Sequence, residues 1–291
     1  MMSVFSLLLL LATAFLATML YVLLKYFDGL QINKLHFLTS NYITASIISF
    51  SLNFEENSKA VSQLPIILLP CLATGLLFIL VFYSAAQSAA KYGLAITSLA
   101  AKLSMVIPIV AGFILYSETI TFTKIIGILI ALIAVYSTNY QKEKEGKIHF
   151  ALLPILLFIG SGLVDTLVKV SQHYFINGEN RQLYISMCFG AAGLFGLIVS
   201  IYSGLIKKNK LAFRSIYAGI LLGTVNYFSL DFLIRFLTLP GIESSYAFAM
   251  INMLVVIMSA AFAFFLFKEQ PKKSTLSGIL LALLAISILS C

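Results

Sequence analysis

The sequence predicts an all-α polytopic membrane protein, with ten transmembrane helices forming two five-helix repeats of inverted topology. Three observations carry this expectation. The 291 residues are 60% hydrophobic and only 10% charged, with a mean hydropathy of +1.02. The apolar residues gather in continuous runs, separated by short polar breaks. The end of the first half also reappears at the end of the second. An ordinary soluble domain carries about 25% charged residues, and a soluble core of this length cannot hide so much apolar surface. A water-soluble enzyme, a secreted disulfide scaffold and a disordered chain are thereby excluded. Inside a bilayer every backbone polar group must be satisfied by the chain, which leaves helices or a closed barrel, and continuous apolar runs select helices.

The predicted spans are 4–24, 35–54, 64–89, 94–117, 120–140, 148–173, 182–206, 213–238, 242–268 and 272–290. At ~20 residues each, ten spans use ~200 residues and leave almost nothing outside the membrane. The first stretch, Val4 to Leu24, lacks a basic n-region before it and is too long for the apolar segment of a signal peptide, so it reads as a retained helix. The breaks are brief, as in Ser117-Glu118-Thr119 and Lys268-Glu269-Gln270-Pro271. The longest polar break runs from Gln141 to Lys147 and falls at mid-chain. It divides the sequence into a first repeat (1–140), a charged linker (141–147) and a second repeat (148–291).

The halves match at their ends. Tyr116-Ser117-Glu118 with Gly127-Ile128-Leu129 corresponds to Phe267-Lys268-Glu269 with Gly278-Ile279-Leu280. The offset is 151 for the glutamates and 151 again for the glycines. Lys25 and Lys169 end similar stretches near the starts of the halves. An odd number of spans per half makes the second half cross in the opposite sense, the inverted repeat typical of alternating-access transporters.

The net charge is +8. Thirteen of the 19 basic residues fall in the loops after spans 1, 3, 5, 7 and 9 or at the span ends that adjoin them. The positive-inside rule places those loops in the cytoplasm and both termini outside. No basic stripe interleaved with aromatics is present, so the expected partners are the bilayer and a small solute rather than nucleic acid. Cys71, Cys188 and Cys291 form no C-x-x-C; the first two lie in apolar runs and read as small hydrophobes. No prenylation motif precedes Cys291.

Charged residues within the spans cost about 2.5–3.5 kcal/mol each near the bilayer centre, and by default mark function. Lys102 is the deepest base, and reads as a counter-charge for a carboxylate-bearing solute or as a lysine paired with a buried acid. Asp165 with Lys169, and Asp231 with Arg235, are spaced four apart, so each pair shares a helix face. They read as one gate or proton-coupling cluster, or as two local ion pairs. Asn226, Asn252, Tyr83, Gln87 and Tyr246 are candidate solute ligands. The asparagines equally suit hydrogen bonds between helices. Glu118 and Glu269 lie in turns before the fifth and tenth spans and read as helix caps. Gly127, Gly278 and the pair Gly219 and Gly223, at GxxxG spacing, read as close helix contacts.

These patterns resemble the drug/metabolite transporter superfamily, in particular its EamA-type members. The features that match are Lys25 and Lys169, the stretch Tyr83-Ser84-Ala85-Ala86-Gln87-Ser88-Ala89-Ala90-Lys91-Tyr92-Gly93, then Pro108, Glu118 and Gly127. The second half repeats the glutamate and glycine but has Ser259 where the first has Pro108. The resemblance covers essentially the whole chain. It implies secondary transport of small organic solutes, often the export of amino acids or related metabolites, in a bacterial inner membrane. It also implies a central cavity lined by spans 1, 3, 4, 6, 8 and 9, with spans 5 and 10 at the periphery. Such proteins are usually drawn with both termini cytoplasmic, against the count of basic residues.

Rival functions find less in the sequence. H-E-x-x-H, G-x-S-x-G and Walker A motifs are absent, so no catalytic residue, metal site or cofactor is expected. A channel would need a filter sequence, which is not seen. An exporter of cationic drugs or amines is the main alternative within transport. Protons are the candidate coupling ion, and a monomer and a homodimer are both open.

Overall fold

The computed structural model describes residues 4–30, 32–116, 121–142, 148–150, 152–207, 213–237, 239, 244–270 and 273–289. Glu118, Gly146 and Cys291 lie outside them, as does most of the expected linker. The chain is helical almost throughout. In order the helices are α1 (Val4–Asp28), α2 (Lys34–Leu52), α3 (Phe54–Ala60), α4 (Leu64–Tyr92), α5 (Leu94–Leu103), α6 (Val106–Tyr116), α7 (Phe122–Asn139), α8 (Leu152–Tyr174), α9 (Arg181–Lys207), α10 (Phe213–Leu237), α11 (Ser244–Phe265) and α12 (Lys273–Leu289).

Among the described residues, six segments are long and apolar enough to cross a bilayer: Val4–Asp28, Phe54–Tyr92, Leu94–Leu115, Leu152–Tyr174, Arg181–Ser203 and Phe213–Phe236. Phe122–Ser137, Met250–Phe265 and Ser274–Leu289 are apolar but shorter. The surface has the polarity expected of a lipid-facing protein. Leu69, Ile114 and Phe213 are more than 70% exposed, while Asn41, Ser49, Asn57 and Thr74 are fully buried. Water would reverse that arrangement; lipid tails favour it.

Three features differ from the sequence expectation. The fourth span is two helices, broken at Ser104–Met105. The sixth begins at Leu152 rather than 148, because Ile148–Phe150 pairs antiparallel with Tyr140–Lys142 as a short hairpin flanking the linker. The polar break before the third span carries α3 and a 3-10 turn, Val61–Gln63.

Small residues set the packing. A Cβ on Gly219 or Gly223 of α10 would come within 2.3 Å of the carbonyl oxygens of Phe37 and Asn41 on α2. Gly190, Gly193 and Gly196 of α9 meet the other side of α2 at Ser46, Ile43 and Thr39. Gly127 of α7 packs on Leu289 of α12. Elsewhere α9 also packs on α4, α1 on α10 and α11, α8 on α4, α5 and α6, and α11 on α5. In lipid, where no hydrophobic force draws helices together, such close backbone approach supplies the dispersion contacts that do.

Candidate functional site

The break between α5 and α6 has a local cause. Pro108 has no N–H to give the carbonyl of Ser104, four residues before it, and its ring crowds that carbonyl. The Ser104 carbonyl accepts instead from the Ile107 N–H at 2.9 Å, a three-residue turn. The Ser104 hydroxyl turns back to the Ala101 carbonyl at 2.6 Å. At the corresponding place in the second half, Ser259 leaves α11 continuous from Ser244 to Phe265. One half therefore has a divided helix where the other does not.

The division puts Lys102 in the last turn of α5, where the negative end of the helix dipole favours a cation. Asp165 comes toward it from α8, close enough for each charge to act on the other but outside direct ion-pair contact. Tyr21 of α1 also lies within reach of the Asp165 charge. From α11, the Asn252 amide donates to the Met105 sulfur at 3.8 Å, at the break itself. One turn before Asp165, Gly162 lets α8 approach the start of α6; a Cβ there would fall 2.3 Å from Ile107.

The depth and accessibility of these groups identify an interior. Asp165 follows Leu152 by 13 residues, about 20 Å along α8 at 1.5 Å per residue. Helices surround it, yet its accessibility is that of an exposed residue; Lys102, Tyr21, Met105 and Asn252 are half-buried. Asp165 is thus an accessible carboxylate near mid-helix depth that faces Lys102 and Tyr21. Four helices bring one base, one acid, a phenol and an amide to this part of the molecule.

The other expected ligands make contacts with neighbouring helices or within their own. Asn226 is buried and donates to the Asn41 side chain at 3.2 Å, joining α10 to α2 beside Gly223. Gln87 donates to the Tyr83 hydroxyl at 3.1 Å and accepts from Lys34 at 2.8 Å. Lys34 pairs in turn with Asp28 at 2.7 Å. Tyr83 and Gln87 thus belong to a brace between the end of α1, the start of α2 and the end of α4. Tyr246 falls in α11, but its side chain lies outside the described residues.

The two acid–base pairs also separate. Asp231 holds Arg235 at 2.7 Å within α10, with Arg235 largely exposed. Asp165 faces Lys102 from another helix, and Lys169 stands one turn further along α8. Of the two expected arrangements, one cluster or two local pairs, the second is seen at Asp231 and Arg235, while Asp165 faces Lys102. Glu269 does cap a helix, one far from it in sequence. Its carboxylate accepts from the Leu94 N–H of α5 at 3.0 Å and pairs with Lys25 of α1.

Tyr21 was not legible as a site residue, since nothing in an apolar run marks one tyrosine among 14. The contact between the buried thiols of Cys71 on α4 and Cys188 on α9 was equally hidden. Among the described residues, no group of three His, Cys, Asp or Glu side chains could hold a metal ion.

No family model matches the chain. The chain is similar to an uncharacterized protein of Haemophilus influenzae, 26% identical over 257 residues, covering 84% of each sequence.

Proposed function

We propose that this protein is a secondary transporter of small organic solutes, amino acids or related metabolites, working by alternating access around the Lys102–Asp165 site. The observation that carries the reading is an acid and a base held apart in an accessible interior, beside a helix that is broken at that depth. Divided helices at a midplane site are a recurrent device of secondary transporters. Each charge would be too costly to leave in lipid without a partner or water.

The helix adjacencies support ten spans in two inverted repeats. Exchange α1 with α8, α2 with α9, α4 with α10, the α5–α6 pair with α11, and α7 with α12. The most extensive contacts then map onto one another: α2 on α10 becomes α9 on α4, α1 on α10 becomes α8 on α4, and α1 on α11 becomes α8 on α5 and α6, whereas α1 on α4 has no counterpart of like extent between α8 and α10 among the described residues. The contacts α2 on α9, α7 on α12 and α5 on α11 map onto themselves. Rocking of one repeat against the other around the site is the corresponding motion. The basic loops after spans 1, 3, 5, 7 and 9 favour a cytoplasmic placement for that side.

A second reading, export of cationic drugs or amines, draws on the greater accessibility of Asp165 relative to Lys102. Thermal stabilisation of the purified protein by a panel of amino acids, organic anions, nucleosides and amines tests both. A ligand of the folded state stabilises it in proportion to the logarithm of its concentration over Kd. Stabilisation by carboxylate-bearing solutes, followed by their flux into proteoliposomes, is the expected result. Stabilisation by amines alone selects the second reading, and no response across the panel removes the first.

A further inference from the structure

Among the described residues, Lys268 (φ 52°) and Gly93 (φ 95°) are the two with positive φ. They are 175 residues apart in sequence, counted between the adjacent Leu94 and Glu269, and they meet in space. After α11 the chain turns with the Phe267 N–H bonded to Phe262 and the Glu269 N–H bonded to Ala263. Lys268 in the left-handed region aims Glu269 at the start of α5. Gly93 opens α5, and the Glu269 carboxylate occupies the place a Cβ there would take, 2.6 Å from Oε2. The same carboxylate accepts from the Leu94 N–H and pairs with Lys25. The Lys25 ammonium also lies 5.1 Å from the Phe267 ring centroid. Both charged side chains are about one-fifth exposed.

This junction clamps the two helices that bring Tyr21 and Lys102 to the interior. Tyr21 is one turn before Lys25 on α1, and Lys102 is eight residues, about 12 Å, along α5 from Leu94. Strained backbone persists where surrounding structure holds it, and clusters at clamps and switches.

We propose that Glu269 is a latch: its carboxylate, shared by Lys25 and the Leu94 N–H, holds α1, α5 and the α11–α12 turn together at one end of the interior, and its release opens the interior to that side. This rests on the alternating-access reading. As a positioning residue Glu269 would act through α5 and need not touch the solute.

The test uses the full chain in proteoliposomes, with Cys71, Cys188 and Cys291 replaced by serine. Ser161→Cys is the reporter, one turn from Asp165 on the same face of α8. A membrane-impermeant maleimide is added to each face in turn. Glu269→Gln keeps an acceptor for the Leu94 N–H but loses the ion pair, and Lys25→Gln removes the pair from the other partner. Either variant should raise the labelling rate from one face about tenfold or more. If Glu269→Gln does not give a monodisperse folded protein, Lys25→Gln carries the test. Rates within twofold of the parent, from both faces and in every folded variant, overturn the latch. The solute panel is run on the same proteins. Faster labelling with no solute response upholds the latch and removes the transport reading; unchanged labelling with intact solute response overturns the latch alone.

Discussion

Lys102 and Asp165 bring opposite charges into one accessible interior from different helices, outside direct ion-pair contact. A closed buried pair would satisfy itself. An open pair leaves hydrogen-bonding capacity on both groups, which water or a solute must meet. A zwitterion or a carboxylate with a second polar group fits that demand. Lys102→Met and Asp165→Asn should each weaken binding of the stabilising solute about 10- to 100-fold, ~1.4 to 2.7 kcal/mol. Lys102→Met should hurt carboxylate-bearing solutes most, and Asp165→Asn those bearing an amine. Titration of solute against thermal stability reads both. Equal affinity in wild type and both variants would move the site elsewhere.

Pro108 offers a different test, because stability and function should part company. Pro108→Ala restores an N–H for the Ser104 carbonyl and removes the ring clash, so α5 and α6 can join. Interior prolines cost a helix about 3 kcal/mol, and the melting temperature should hold or rise. Joining the helices redirects Lys102 and Met105, so solute binding should fall at least tenfold. Loss of fold with the substitution would mean that the break is a requirement of packing alone.

The sequence announced the helices and several of their contacts, because apolar length and glycine spacing are local properties. The approach of Gly219 and Gly223 to α2 follows from that spacing. Asn226 and Asn252 show where local reading stops. Both are amides near the middle of an apolar run, yet one ties α10 to Asn41 and the other reaches the α5–α6 break. Their difference lies in which helix stands opposite, and no single helix encodes that. The spacing of Asp165 and Lys169 is compatible with a local pair, but Lys102 on another helix is the charge that faces Asp165. Glu269 was legible as a cap, but its target depends on how α11 ends, at a left-handed lysine.

Asn226 separates structure from binding. Asn226→Ala removes the donor to Asn41 and leaves a buried amide short of a partner, a loss of about 1–3 kcal/mol. Gly223→Val drives a side chain into the Asn41 carbonyl and should cost about as much or more. Both should lower the melting temperature while solute affinity in the folded fraction stays within twofold. A selective loss of affinity in Asn226→Ala, with stability intact, would return Asn226 to the solute site.

Cys71 and Cys188 are 0% and 2% exposed. In the native protein, neither should react with maleimide within the time that denatured protein labels fully. Their thiols touch across the α4–α9 contact, where Gly75 packs on Ala191. Fast native labelling at either position, read by peptide mass spectrometry, would show that α4 and α9 part in normal motion.

Gly93 and Lys268 should respond in opposite ways, although both have positive φ. Gly93 sits at φ 95° and ψ 166°, a region that essentially only glycine occupies. Alanine there is strained by about 1–3 kcal/mol and sets its Cβ against the Glu269 carboxylate. Gly93→Ala should therefore lower the melting temperature and raise maleimide access to the Ser161→Cys reporter. Lys268 lies at φ 52°, where glycine replaces a side chain that the left-handed region disfavours by ~1–2 kcal/mol. Lys268→Gly should leave the fold intact and the latch closed, because the ion pair uses Glu269 and Lys25, not the Lys268 ammonium. Measuring both variants by differential scanning fluorimetry and by labelling distinguishes a junction held by backbone shape from one held by its charges. If Lys268→Gly opens the reporter as widely as Gly93→Ala, the lysine side chain itself is part of the closure.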